Sequence, residues 1–441
     1  MTEKAYQERL ERLFRQSPSV QTTGFAPDSY KPGLEGMRAL DTATGYPSRQ
    51  FACIHVAGTN GKGSVCSFLA SALAAAGLRV GLYTSPHLID FRERMKLLGA
   101  GAELPPAPEL IGKQAVWEFL ERYGTALEGR SFFEVTTAMA FWWFARERVD
   151  VAVIEVGLGG RLDSTNILEK PLLSIVTSIG LDHCALLGNS RSAIAAEKAG
   201  IFKPGVPALV GSRDEETAPV FERIAREQGA PLHFADREGV ASEALETDLS
   251  GPCQNENLQT VRCALALLKK GEGPVAAALR RIGPSTLDQA LRHTAVRTGL
   301  HGRWERLQER PEVLADIGHN PPALALNFSR LEALGRPLFI VYGIMADKDL
   351  EGIVPLMPAG AQYFLCAPDS PRALPAEALQ QRIGALRPEL QTKVFPGVAA
   401  ATEAALEAAQ AVPDALIYIG GSCFVVSEAL PLWQHVCNEA D

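Results

Sequence analysis

An apolar run, Phe51 to Ala57, feeds a glycine-rich turn, Gly58-Thr59-Asn60-Gly61-Lys62-Gly63-Ser64, which opens into the alanine-rich stretch Ser64–Ala76, closed by Gly77. Strand, loop and helix in that order constrain the fold more than any other feature, because they set a phosphate loop at the carboxyl end of a buried strand. Glycines let backbone N–H groups crowd around phosphate oxygens, and a helix N-terminus adds roughly half a positive charge. Lys62 is placed to reach the outer phosphates, and Ser64 to offer a hydroxyl to Mg2+. A merely tight turn is the competing reading, but it gives no reason for Lys and Ser in those two places. The spacing Gly58-x-x-Gly61-Lys62-Gly63-Ser64 is shorter than the common G-x-x-x-x-G-K-[ST] loop. A nucleoside triphosphate site is predicted, with ATP as its ligand.

With 441 residues the chain exceeds one ordinary core, and two or three domains are expected. Hydrophobic residues at 46% and charged ones at 21% are those of a soluble globular protein. The formal net charge is −8 and no block of Lys and Arg stands out, which argues against a nucleic-acid partner. An acidic protein that binds a polyanion needs local positive charge and a metal. None of the eight cysteines falls into C-x-x-C, so buried free thiols are expected rather than zinc or a redox pair. The first residues lack the apolar core of a signal peptide, and no run reaches the ~18 apolar residues of a membrane span. A cytoplasmic monomer with small-molecule partners and no membrane contact is the expectation.

Apolar β-rich runs alternate with helical patterns: Phe51–Ala57, Arg79–Thr84, Asp150–Val156, Leu172–Ser178 and Val206–Val210. Buried strands joined by crossover helices imply a mostly parallel, doubly wound sheet. Gly251–Gly271 and Gly273–Ile282 read as helices finishing this unit. A second series follows Arg297-Thr298-Gly299, with strands at Val313–Ile317, Pro337–Gly343, Gln362–Ala367, Lys393–Phe395 and Ala415–Gly420. The boundary is placed at 298, giving domains 1–298 and 299–441. Residues 99–108 read as a surface loop.

Glu155 ends an apolar strand before Gly157-Leu158-Gly159-Gly160, at the sheet edge where α/β proteins bind ligands. A surface carboxylate is the alternative, but the glycine turn argues for close backbone approach. His183 also follows a strand; a lone His serves as readily in structure as at a metal. Ser85, as an isolated hydroxyl, reads as a turn former, and Lys198 as a solvated lysine on a helix. Trp142 and Trp143 read as core, whereas Phe132 and Phe133, at the start of their helix, are better placed to meet an aromatic substrate. Arg303, Asp316 and His319 near the domain junction could hold a nucleotide.

In order and spacing, Gly58–Ser64, Thr84–Leu88, Phe132–Thr136, Glu155–Asn166, Gly180–His183, Glu197–Ile201, Asp316–Pro321 and Tyr342–Asp349 resemble the dihydrofolate synthase/folylpolyglutamate synthase family of the Mur-type ligase superfamily. The resemblance begins at Tyr30–Met37 and spans nearly the whole chain. It implies an α/β protein with a P-loop ATPase-like, mostly parallel N-terminal sheet and a smaller Rossmann-like C-terminal domain. It further implies ATP-driven activation of a carboxylate and its ligation to the amine of glutamate. Asn60, Gly61, Lys62, Gly63 and Ser64 are then expected to cradle the phosphates, and Ser85, Glu155 and His183 to be Mg2+ ligands. Lys198 matches the family lysine that carries a carbamate, which helps organise a second metal; catalysis is assigned to Lys62, Lys198 and His183.

The resemblance also implies that Asn257, Arg303 and Asp316 contact ATP across the domain junction. Lys31, Pro32, Gly33, Leu34, Ser131, Phe132, Phe133, Glu134, Leu162, Asp163 and Ser164 match positions of the pterin substrate. Two departures stand out: Ile317-Gly318 replaces a common Gly-Ala, and Gly421-Ser422-Cys423-Phe424 matches the glutamate-associated segment only loosely. The expected activity is addition of glutamate to dihydropteroate, to folates, or to both, through an acyl phosphate. A ligase acting on a cell-wall nucleotide precursor and a non-catalytic nucleotide-binding protein are the competing readings.

Overall fold

The computed structural model describes residues 2–17, 19, 24, 31–101, 107–239 and 245–433. Tyr30, Cys437 and the centre of the expected 99–108 loop lie outside the described residues. Fourteen strands are described: β1 Ala52–Ala57, β2 Val80–Tyr83, β3 Met95–Leu98, β4 Glu109–Leu110, β5 Val151–Glu155, β6 Leu173–Val176, β7 Ala208–Val210, β8 Leu232–Phe234, β9 Glu305–Glu309, β10 Glu312–Ala315, β11 Leu338–Tyr342, β12 Gln362–Leu365, β13 Gln391–Val394 and β14 Leu416–Gly420. They form an eight-stranded sheet, β4-β3-β2-β5-β1-β6-β7-β8, and a six-stranded sheet, β13-β12-β11-β14-β10-β9. Chain contacts divide the molecule into Met1–Asp248 with Gln254–Leu300, and Leu249–Cys253 with His301–Asp441.

In the first sheet β1 is the point where the order divides: β2 to β5 lie on one side and β6 to β8 on the other. Such a switch point opens a crevice beyond the strand's carboxyl end, which is where the glycine loop emerges. The pairings of β1 with β5 and β6, and of β2 with β5, are parallel, so their carboxyl ends share one edge. Only the β2–β3 and β3–β4 pairings are antiparallel, because β3 alone runs against the rest, and β3 and β4 escaped the sequence pattern. Alternate residues feed opposite faces: Ala152 and Ile154 pack with Phe119, Met139 and Phe141, while Ala57, Val156, Val176 and Val210 pack with Ile201 and Phe221. Both faces are covered, which is why the strands read as unbroken apolar runs.

The second unit repeats the plan. Leu338, Ile340 and Tyr342 of β11 face one core, and Phe339 and Val341 face another. β9 is antiparallel to β10 at the edge, and the other pairings are parallel. The polar composition of β9 left no apolar run for the sequence to show. Among the described residues, no helix is long and apolar enough to cross a membrane.

Candidate active site

The phosphate loop is held in shape by its neighbour strand. The register pairs Ala57 of β1 with Val176 of β6, so Gly58–Asn60 run beside Thr177–Gly180. Thr177 and Ser178 hydroxyls donate to the Asn60 carbonyl at 2.6 and 3.0 Å, and Thr59 N donates to the Ser178 carbonyl at 2.7 Å. Thr59 and Gly180 exchange two further bonds. The helix Lys62–Ala75 then starts at Gly61, whose φ of +84° suits glycine and which provides no side-chain cap. An uncapped helix start leaves the first-turn N–H groups to an anion. A Cβ on Gly61 would lie 2.3 Å from Asn257 Oδ1, which places Asn257 directly against the loop. Asn257 Nδ2 donates to Gln254 at 2.9 Å, and Gln254 Nε2 donates to the Ser64 hydroxyl at 3.3 Å.

Two lysines converge on one carbonyl. Lys62 Nζ donates to the Gly58 oxygen at 3.0 Å and to that of Thr59 at 3.1 Å, and Lys198 Nζ donates to Gly58 at 2.9 Å. Lys198 is buried rather than solvated. Burial, and then the charge of Lys62, push its pKa down to about 7. The β2–β5 register pairs Tyr83 with Ile154, so Ser85 and Glu155 emerge side by side, and Ser85 N donates to Glu155 Oε2 at 3.0 Å. His183 adopts a φ of +52° and precedes the short helix Cys184–Leu187; its Nε2 lies 3.7 Å from Asp182 Oδ2. Among the described residues, no three His, Cys, Asp or Glu side chains cluster to hold a metal unaided. One carboxylate with neighbouring hydroxyls is nevertheless the sparse oxygen set that suits Mg2+, which completes its shell with phosphate and water.

The acceptor-side segments also meet. Lys31 Nζ donates to the Gly129 carbonyl, and Gly36, just beyond the Lys31–Leu34 stretch, lies against the Glu134 side chain. Ser131 and Glu134 form a capping box for the helix Phe132–Arg146: Glu134 N donates to the Ser131 hydroxyl, while Ser131 N donates to the Glu134 carboxylate at 2.8 Å. Phe133 covers Gly157, where a Cβ would lie 2.5 Å from the ring, so only glycine admits that contact. Asp163 is buried and accepts from Leu158 N and Thr165 N, both at 2.9 Å. Burial raises its pKa, against these bonds and that from the Thr165 hydroxyl. Ser164 is buried beside it, and Leu162 points to solvent at 37% exposure. Phe132 departs from the expectation of a substrate-facing ring: it is buried, stacked on Phe14 at 5.4 Å with the Arg94 guanidinium 5.3 Å from its centre. Trp143 is core, as expected, and Trp142 packs partly buried against it.

In the second unit, Asp316 follows β10 and is held from three sides. Its carboxylate accepts from Trp304 N at 2.9 Å, Gly318 N at 2.8 Å and Asn327 Nδ2 at 2.7 Å. Burial raises its pKa, against those bonds and the charge of Arg303. Arg303 donates to the carbonyls of His301 and Gly302. Cys423, just past β14, has its thiol pushed up by burial, while Lys348, Arg372 and Arg303 all pull the other way. Lys348, Arg372 and Arg303 thus all lie near enough to act on one thiol, just past β14. Arg372 also pairs with Asp347 at 2.8 Å.

Residues 302–423 match the family model described as Mur ligase, glutamate ligase domain. Over 367 residues the chain is 36% identical to the dihydrofolate synthase/folylpolyglutamate synthase of Escherichia coli K12, covering 82% of each. It belongs to the dihydrofolate synthase/folylpolyglutamate synthase family. E. coli FolC in complex with DHPP and ADP superposes with a TM-score of 0.79 at 28% identity, covering 98% of both chains. The bifunctional enzyme of Yersinia pestis, complexed with AMPPNP and Mn ion, gives 0.77 at 28% identity, covering 97% of this chain and 98% of that one. The protein is thus an ATP-dependent ligase that forms an amide bond, with the two-domain α/β fold of this family.

Beside the segments that the sequence singles out in this dihydrofolate synthase/folylpolyglutamate synthase family member, the structure sets groups that the sequence does not mark. Lys348 lay inside the matched Tyr342–Asp349 segment without a role, and Arg372 belonged to no motif. Gln254, Thr177 and Ser178, which brace the phosphate loop, were equally silent. Their only signal is position: each lies just beyond a strand or at the start of the Gln254–Lys270 helix.

Proposed function

We propose that the protein transfers the γ-phosphoryl group of ATP to the carboxylate of dihydropteroate or of a folate, then joins that acyl phosphate to the amine of L-glutamate. One site serves both the first addition and chain extension. The observation that carries this reading is the Lys62 ammonium held on the Gly58 and Thr59 carbonyls at the first turn of the Lys62–Ala75 helix. In a protein of net charge −8, it places positive charge at the mouth of an uncapped helix, where a triphosphate needs it.

Asn60 to Ser64 receive the phosphates, Lys62 neutralises the outer ones, and Asn257 borders the loop. Ser85 and Glu155, joined by His183, would hold Mg2+ at two sites; the cation would screen the repulsion between triphosphate and carboxylate. Lys198, with its pKa down to about 7, has a neutral amine available at physiological pH, the form that takes up CO2 as a carbamate. Phe133, Asp163, Ser164, Leu162 and the Lys31–Leu34 segment receive the pteridine, with Ser131 and Glu134 fixing the helix start and Phe132 backing it. From the second unit, Arg303 and Asp316 serve the nucleotide, Asp316 by holding the Arg303 loop. Lys348 and Arg372 meet the carboxylates of glutamate. The cytoplasm is the compartment we assign, one that suits the seven free cysteines among the described residues.

The test offers purified protein ATP, Mg2+ and glutamate with dihydropteroate, tetrahydrofolate or a UDP-linked cell-wall precursor. ADP release is expected with both pteridines and absent with the third. Turnover of the UDP-linked acceptor alone contradicts the proposal.

A further inference from the structure

His55 sits in β1, wholly buried, three residues before the phosphate loop begins. Its Nε2 lies 2.8 Å from the Thr165 hydroxyl. That hydroxyl donates to Asp163 Oδ1 at 2.5 Å, and Thr165 N donates to the same oxygen at 2.9 Å. A hydroxyl has one proton. Because Thr165 gives it to Asp163, its oxygen accepts from His55, and the imidazole is the Nε2–H tautomer. Burial, and then the charge of Lys203, push the His55 pKa down to about 3, so the ring is neutral.

This arrangement has a cost. His55 Nδ1 is buried with no partner among the described residues. An orphaned acceptor is destabilising, and an aliphatic side chain would avoid it. The gain that offsets it is the single bond to Thr165. The same segment is held elsewhere too: Asn166 Nδ2 donates to the carbonyls of Arg161 and Gly200, both at 3.0 Å, and Lys203 Nζ donates to the Asn166 carbonyl at 3.1 Å. The remaining Asp163 oxygen is fixed by Leu158 N in the turn that Phe133 covers. His55 thus completes the orientation of one carboxylate from inside the sheet.

We propose that His55 is a positioning residue for the acceptor: through Thr165 it fixes Asp163 and so sets the affinity for the pteridine, touching neither substrate nor nucleotide. The inference rests on the reading of Asp163 as a pteridine contact. The full-length protein is compared with its His55→Leu, His55→Gln and Asp163→Asn variants. In His55→Leu, KM for dihydropteroate rises about fivefold, the effect of one lost hydrogen bond, while kcat and KM for ATP stay within about twofold. Its melting temperature is unchanged or higher, because the orphan is gone. His55→Gln, whose amide donor can replace Nε2–H, keeps the wild-type KM.

A folded His55→Leu enzyme with wild-type pteridine KM, while Asp163→Asn raises it, overturns the inference alone. An Asp163→Asn enzyme with wild-type pteridine KM overturns the reading of Asp163 instead. Nitrogen-15 NMR of the wild-type imidazole tests the link independently of turnover: a proton on Nε2 supports it, and a proton on Nδ1 overturns it.

Discussion

Both sheets insert a late strand beside the first parallel one: β5 enters between β2 and β1, and β14 between β11 and β10. In the N-terminal unit the groups we assign to phosphate come largely from one unbroken stretch, Gly58 to Ser64, stapled to Thr177–Gly180 by backbone and hydroxyl bonds. In the C-terminal unit the cations Arg303, Lys348 and Arg372 come from three separate loops, and all three act on the Cys423 thiol. A contiguous loop binds through its backbone, which demands glycines at fixed spacing and leaves a signature. A charged cluster binds through side chains, which any loop of the edge can supply, and leaves none. A backbone loop is therefore readable from spacing, whereas a cluster of side chains from separate loops is readable only from topology.

The largest effect is expected at Lys62. Lys62→Ala is expected to fold normally and lose roughly a hundredfold or more in kcat, measured as ADP release. Normal turnover by the folded variant would mean that the loop binds through backbone alone.

Next comes Lys198. Lys198→Ala is expected to lose most activity and regain part of it with small carboxylic acids, which restore the anion. In the wild type, only the neutral amine accepts CO2. With its pKa lowered to about 7 from 10.5, carbamylation in bicarbonate should hold down to about pH 7 and fall below it. Activity of CO2-stripped enzyme that is indifferent to bicarbonate at every pH contradicts the carbamate.

Arg372→Ala sharpens the contrast between the edges. KM for glutamate is expected to rise about tenfold, the loss of a charge-assisted contact, with KM for ATP unchanged. A change confined to ATP would move this cluster to the nucleotide. The smallest effect belongs to Ser131→Ala, which removes the helix cap and should lower stability by about 1 kcal/mol in denaturant unfolding.

The buried parallel strands were legible because both faces are covered, leaving runs such as Val151–Ile154 and Leu338–Tyr342 apolar throughout. β3, β4 and β8 are short, and β9, Glu305–Glu309, lies at an edge and is polar, so no run marked them. The phosphate-loop helix begins at Lys62 instead of Ser64, because Gly61 turns the chain two residues sooner. Phe132 and Phe133 could not be told apart in sequence. Their helix is apolar nearly all round, so no polar face reveals which ring turns inward. Lys198 read as solvated because its helix shows an ordinary surface pattern; its burial comes from Gly58, 140 residues away. Asp316 was visible as a residue, but its three internal donors were not, since Trp304 and Asn327 meet it only through folding.

Phosphorylation of the acceptor carboxylate before the amide forms can be followed by isotope transfer. With oxygen-18 in the acceptor's carboxyl group, each turnover should deliver one labelled oxygen to the inorganic phosphate released. Phosphate that remains unlabelled through complete ligation would contradict the account.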